Sequence, residues 1–252
     1  MATAWTPDQV VFGIRHKRLF GFLSRAGDIL DAINSLNGTP PFRHDFFAAV
    51  NWPNRVTARA QNRDGNFLVD ANIDGVVVTA NLEESGLTRE QVKVMFERIV
   101  RAVLPISNGA STVNRIGIVD RYTFGYDSPS AVAVRALTNL GVIGASGDFK
   151  LRVAFRHPTT EGAVLAGVDD WRNTILEVGA VRVAEEEDDE EEEQPDKFNA
   201  LRVSVDYQHY FAPERRFDQK MIGDHYVAFT DRIAKLQSNE LAGLPPADIV
   251  RG

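Results

Sequence analysis

Seven arginines, Arg15, Arg59, Arg115, Arg121, Arg152, Arg156 and Arg202, fall in stretches that read as β-strands, and Arg182 lies in similar context. Alternate residues of a strand share a face, so such arginines can line one surface and offer guanidinium forks to phosphate or carboxylate. Two readings follow: a surface for nucleic acid or a nucleotide, or solvated strand-face cations paired with local carboxylates. Negative charge is concentrated in Glu185, Glu186, Glu187, Asp188, Asp189, Glu190, Glu191, Glu192 and Glu193. Nine like charges repel and cannot be buried, so residues 185–197 are expected to form a disordered loop between strands. Such a loop either keeps the chain soluble or acts as a pseudo-substrate that covers a basic surface until a polyanion displaces it.

No motif in the chain reads as a catalytic signature, and a hydrolase or nuclease would need Asp, Glu and His residues brought together from distant segments. The histidines are His16, His44, His157, His209 and His225, and the compact pairings are His44-Asp45, Asp206 with His209, and Asp224-His225. Asp206 and His209 would point to opposite faces of a strand, so no metal site is expected. Gly-x-Ser-x-Gly, Gly-Lys-Ser/Thr and His-Glu-x-x-His strings are absent. The glycine-rich Gly141 to Gly147 follows a helical pattern and precedes a strand-like one, the reverse of a phosphate-cradling loop, and reads as a connector. No cofactor is expected either. With no cysteine, the chain has no disulfide and no thiol chemistry.

The bulk composition, 44% hydrophobic and 25% charged over 252 residues, suits a chain that buries a core. The formal charge is −7, and setting aside the nine acidic charges of 185–193 leaves +2. That near-neutral body lacks the basic excess usual in a nucleic-acid binder. The Arg bias over Lys, 22 against six, favours bidentate oxyanion contacts but also follows from base composition. No window is apolar enough to span a bilayer and no leader pattern opens the chain, so a soluble, cytoplasmic protein is expected, without membrane partners.

These residues must be positioned by regular elements. Val10, Phe12 and Ile14 alternate as in a half-buried strand, and a helical stripe runs through Leu19, Leu23, Ala26, Leu30, Ile33 and Leu36 to Asn37-Gly38. Four strands are predicted at Phe46 to Val50, Arg55 to Gln61, Asn66 to Ala71 and Val76 to Leu82. Asp64-Gly65 and Asp74-Gly75 mark tight, positive-φ hairpins. A helix follows, with Thr88 as N-cap, Gln91 completing a capping box, and Val92, Phe96, Ile99 and Val103 as its buried stripe. The second half repeats this order: a strand at Val113 to Phe124, a helix at Ser130 to Leu140, and strands at Phe149 to His157, Ala163 to Trp171, Ile175 to Val183 and Leu201 to Tyr207. A final helix from Asp218 carries Ile222, Tyr226, Phe229 and Ile233.

The predicted fold class is therefore α+β: a duplicated β-α-β4-α unit forming a largely antiparallel, curved sheet with helices on one face. Residues 1–108 form the first repeat, 109–240 the second, and 241–252 a tail. This order resembles the saddle topology of the TATA-binding protein, which implies one continuous sheet and, by itself, no function. The stretches VVFGIRHKRLF, VNRIGIVDRYTF and ALRVSVDYQHYF are similar to the landmarks of a sporadically distributed bacterial family with no assigned activity, although Val119-Asp120 stands as an insertion before Arg121-Tyr122. That resemblance implies an accessory role, such as defence against mobile elements. The reading that results is a non-enzymatic binding or assembly protein, engaging a protein partner or a second copy through an open sheet face or edge. The alternative is a nucleic-acid or nucleotide-binding module gated by the acidic loop.

Overall fold

Apolar residues at every second position bury one side of strand β1 (Gln9–His16), where Val10, Phe12, Ile14 and His16 are buried. The same alternation marks β3 (Thr57–Gln61), β4 (Phe67–Asn72), β5 (Gly75–Asn81), β6 (Thr112–Gly125) and β9 (Ala200–Arg216), and β2 (Ala49–Asn51), β7 (Lys150–Pro158) and β8 (Trp171–Val181) complete the strands. In this computed structural model the described residues are 6–17, 24–47, 49–51, 57–106, 112–125, 150–158, 170–181 and 200–238. The strands form one sheet in the order β2-β3-β4-β5-β1-β6-β9-β8-β7, and every neighbouring pair is antiparallel. The first strand in the chain is therefore central, held by β5 on one side and β6 on the other.

Helices α1 (Ala26–Asn34), α3 (Arg89–Val103) and α4 (Gln219–Ser238), with the single turn α2 (Leu82–Ser85) between β5 and α3, accompany the sheet. The core lies between the sheet and these helices. Phe12 of β1 meets Phe96 of α3 at 5.5 Å between ring centroids and Tyr226 of α4 at 6.3 Å. Phe67, Val69, Val78, Ile118, Leu176 and Val203 extend the same buried layer across the strands.

The α3 start follows its sequence signature. Thr88 accepts from the Gln91 amide at 3.2 Å, and the Gln91 side chain accepts from the Thr88 amide at 2.7 Å. Replacing Thr88 with Ala removes the first of these, and a loss of about 1 kcal/mol in urea unfolding is expected.

Elsewhere the boundaries move for identifiable reasons. Phe46 and Phe47 are not in a strand; with Phe42 and Phe67 they form a cluster of edge-to-face and tilted rings at 5.0 to 6.3 Å that packs at the end of the sheet. Leu82 begins α2, because the Asn81 side chain caps that turn. Gly65 has the expected positive φ of 72°, whereas Gly75 is not among the positive-φ glycines. Gly75 is required for another reason: a Cβ there would lie 2.1 Å from the Ile14 carbonyl oxygen of β1. β8 starts at Trp171 and β9 runs to Arg216, well past Tyr207. The predicted helix 130–140, the strand segment 163–169, the glycine-rich 141–147, the acidic 185–197 and the tail 241–252 lie outside the described residues, as does Arg182. No described helix is long and apolar enough to cross a membrane.

Candidate binding face

Because directly opposed residues of an antiparallel sheet share a face, the register assigns each strand-borne arginine. Phe12 faces the helices, so Gln9, Val11, Gly13 and Arg15 face the other way, and their partners carry that face across the sheet. One rung reads Gly75, Arg15, Arg115, Tyr210, Trp171; the next reads Arg59, Asp70, Val77, Gly13, Gly117, Gln208, Asn173, Arg156. Two rungs on, Gln9, Arg121, Ser204, Glu177 and Arg152 align, and beyond them Thr123, Arg202, Gly179 and Lys150. All seven candidate arginines thus stand on the face opposite the helices. With them stands Lys150, against Asp70 and Glu177 on the same rungs and Asp206 on the intervening rung with Val11 and Val119. Arg15, Arg121, Arg152, Arg156 and Arg202 are exposed, so no described element covers them.

Pairing divides the set. Arg59 is tied to Asp70 at 2.7 Å and Arg152 to Glu177 at 2.9 Å. Arg121 donates to the Gln9 side-chain oxygen, a neutral partner. Arg115 donates to the Tyr210 hydroxyl at 3.2 Å, and that hydroxyl donates to Gln208, whose amide reaches Asp206. Asp206, Gln208 and Tyr210 sit at i, i+2 and i+4 of β9, so this chain of hydrogen bonds follows from strand periodicity. Burial pushes the Asp206 carboxyl up from its usual range, and Gln208, Arg115 and Arg152 oppose that rise.

Trp171 and Tyr210, 39 positions apart in sequence, stack at 4.0 Å with 4° between their planes. Arg156 lies over the outer face of Trp171 at 4.2 Å, and Arg115 over Tyr210 at 5.6 Å. The column Arg156, Trp171, Tyr210, Arg115 stands upright across four strands. A guanidinium closes each end, so the rings fix arginines in place and do not present free faces for stacking.

The helix-covered face holds a different polar set. Asp120, fully buried on β6, pairs with Arg89 at the start of α3 and accepts from Tyr122 at 2.8 Å. Burial raises the Asp120 carboxyl to about 6 even though Arg89 pulls it down. Further along, His225 of α4 donates from Nε2 to the Tyr207 carbonyl at 3.2 Å and stacks on the Tyr207 ring, 5.1 Å between centroids. His209 of β9 lies nearby, 6.2 Å from His225 between ring centroids, so Asp206 and His209 do occupy opposite faces. No group of three or more potential metal ligands occurs among the described residues.

Burial, then the neighbouring His209, lowers His225 to about 3 from 6.5. A histidine with a depressed folded pKa stabilises the fold in its neutral form, and that stability is lost as pH falls below 6.5 towards 3. From pH 7 to pH 5, His225 alone is expected to remove about 2 kcal/mol. In a His225→Gln variant the urea-derived stability should lose close to one proton of pH dependence over that interval, and an unchanged slope would assign the effect elsewhere.

No family model matches the chain, and no curated protein matches it.

Proposed function

We propose that the protein is a non-enzymatic binding protein whose sheet face opposite the described helices docks a polyanionic partner, and we take single-stranded nucleic acid as the partner class. One observation carries this reading: arginines of β1, β3, β6, β7 and β9 share the face that no described helix covers, outnumbering the carboxylates on its described rungs. The near-neutral charge of the body is thus unevenly distributed, and a basic face is the electrostatic footprint of phosphate binding. Docking by strand addition at the β7 edge is disfavoured, since Lys150, Arg152 and Arg156 on that strand are exposed, and charged edges resist pairing.

The duplicated unit forms part of the same proposal. It is supported by β1 and β6 lying side by side at the sheet centre with Gly13 opposite Gly117, so that Phe12-Gly13-Ile14 and Ile116-Gly117-Ile118 cross at one point. It is supported also by β5 and β9 flanking that pair, each followed by a helix on the covered face. The two halves would then present one continuous binding surface.

The test is anisotropy of a labelled 20-nucleotide single strand titrated with the full chain at several salt concentrations. Affinity that falls steeply and linearly with log salt is expected. A chain that leaves the label free at low salt would overturn the proposal. Running the same titration after deletion of Glu185 to Glu193 tests the gating idea; tighter binding is the expected result.

A further inference from the structure

Within that face, Arg15 and Arg115 are directly opposed on β1 and β6. Like charges in this position, with Cβ atoms about 5 Å apart, repel and destabilise a sheet unless an anion sits between them. Arg15 makes no ion pair among the described residues, and its neighbour on β5 is Gly75, which provides no side chain. Arg115 is held in place by Tyr210. The two guanidinium groups are placed to grip an oxyanion between them, Arg115 fixed by Tyr210 and Arg15 without an ion pair among the described residues.

One rung further along, Gly13 opposes Gly117. Neither has a positive φ, and a Cβ on either would meet its nearest neighbour at an ordinary 3.7 Å, so packing within the chain does not demand glycine there. Glycine inside a strand costs stability, and one with no internal reason marks the approach of something else. At the side of this bare backbone stands Asp206. Its Oδ2 accepts from Gln208, while its Oδ1 lies 3.9 Å from where a Gly117 Cβ would be.

We infer that Arg15, Arg115 and Asp206 form a subsite for one nucleotide of a single strand: the phosphate lies in the arginine fork, the base lies flat on the Gly13–Gly117 backbone, and its exocyclic amino group donates to Asp206 Oδ1. The face and the amino group of a base are both free only when it is unpaired. A carboxylate acceptor selects amino-bearing bases, so adenine and cytosine are taken and thymine, which offers a carbonyl at that position, is rejected. This inference rests on the nucleic-acid reading of the face.

The experiment compares oligo(dC), oligo(dA) and oligo(dT) of equal length on the full chain at one salt concentration. At least about tenfold tighter binding of the first two over oligo(dT) is expected, as for a hydrogen bond to a charged acceptor. Asp206→Ala should bring oligo(dC) down to the affinity of oligo(dT). Gly117→Ala, which the spacing around Gly117 accommodates, should narrow the preference to about twofold with an unchanged melting temperature. Equal affinity for the three oligonucleotides in the unaltered chain would overturn the subsite and leave the face intact, and a preference undiminished in Gly117→Ala would do the same. Inorganic phosphate competing as well as dCMP would overturn the base contact. Failure of every oligonucleotide to bind would instead remove the reading of the face itself.

Discussion

Replacing Arg115, Arg121 and Arg202 together with Gln should, if the proposed face is right, weaken single-strand binding by about 100- to 1000-fold at low salt and lower the slope of log affinity against log salt by about 2. These three are chosen because none is locked in a described ion pair, with Asp206 and Asp8 acting on Arg115 and Arg202 only through space. Arg115 is positioned by a tyrosine hydroxyl, Arg121 by a glutamine, and Arg202 is opposed by Thr123 and Gly179; none of them is tied to a carboxylate by a described ion pair. Arg59→Gln is the internal control. Its guanidinium already satisfies Asp70, so its loss should change affinity less than about threefold. If Arg59→Gln costs as much as any of the three, partner contacts are not distributed as the ion pairs suggest. If the triple variant binds as tightly as the unaltered chain, the polyanion reading of the face is wrong.

The second large effect concerns stability. Arg89→Met and Asp120→Leu should each cost about 3 to 5 kcal/mol, because either leaves a buried charge without its partner. Both replaced together should cost much less than the sum, since two apolar side chains of similar size fill the site between α3, β6 and Phe229 of α4 without any charge to desolvate. The pH dependence separates this network from ordinary packing. The Asp120 carboxyl titrates near 6 in the fold and at 3.8 in a free chain, so the pairing with Arg89 does not fully offset the loss of water. A raised folded pKa gives a contribution complete below pH 3.8 and lost as pH rises through 6. Without Arg89 that carboxyl moves higher still, and Arg89→Met should lose stability between pH 6 and pH 8 where the unaltered chain does not. Chemical unfolding at the two pH values decides it; parallel behaviour of the two proteins would mean that Asp120 is not the group responding.

Much of this architecture is readable from local pattern. Period-two alternation places the strands and, through them, puts Arg15, Arg115 and Arg121 on the polar face, while Thr88 and Gln91 announce α3 to the residue. Polar triplets are readable too: Asp206, Gln208 and Tyr210 recur at intervals of two. What the pattern conceals is everything that depends on register between distant strands. Trp171 meets Tyr210 only because β8 pairs with β9 in one alignment, and Arg15 opposes Arg115 only because β1 and β6 cross at their glycines. Asp120 looks like one more strand carboxylate and turns out to be buried, because it shares the parity of Ile116 and Ile118. The phenylalanines at 46 and 47 resemble a strand start by composition, but mutual ring packing holds them in a turn.

The central position of β1 has a consequence for how the chain is made. Gln9–His16 is the earliest described strand to leave the ribosome, yet its partners are residues 75–81 and 113–121, so about a third of the chain is made before one flank can be covered and nearly half before the other. Such sequence-distant pairing makes for slow folding, on the order of milliseconds to seconds, and leaves the apolar Val10, Phe12 and Ile14 open to wrong partners meanwhile. Any fragment that stops before β6 keeps one flank of β1 as a bare, apolar edge that invites association. The strand that unites the sheet is, until β6 arrives, its most adhesive part.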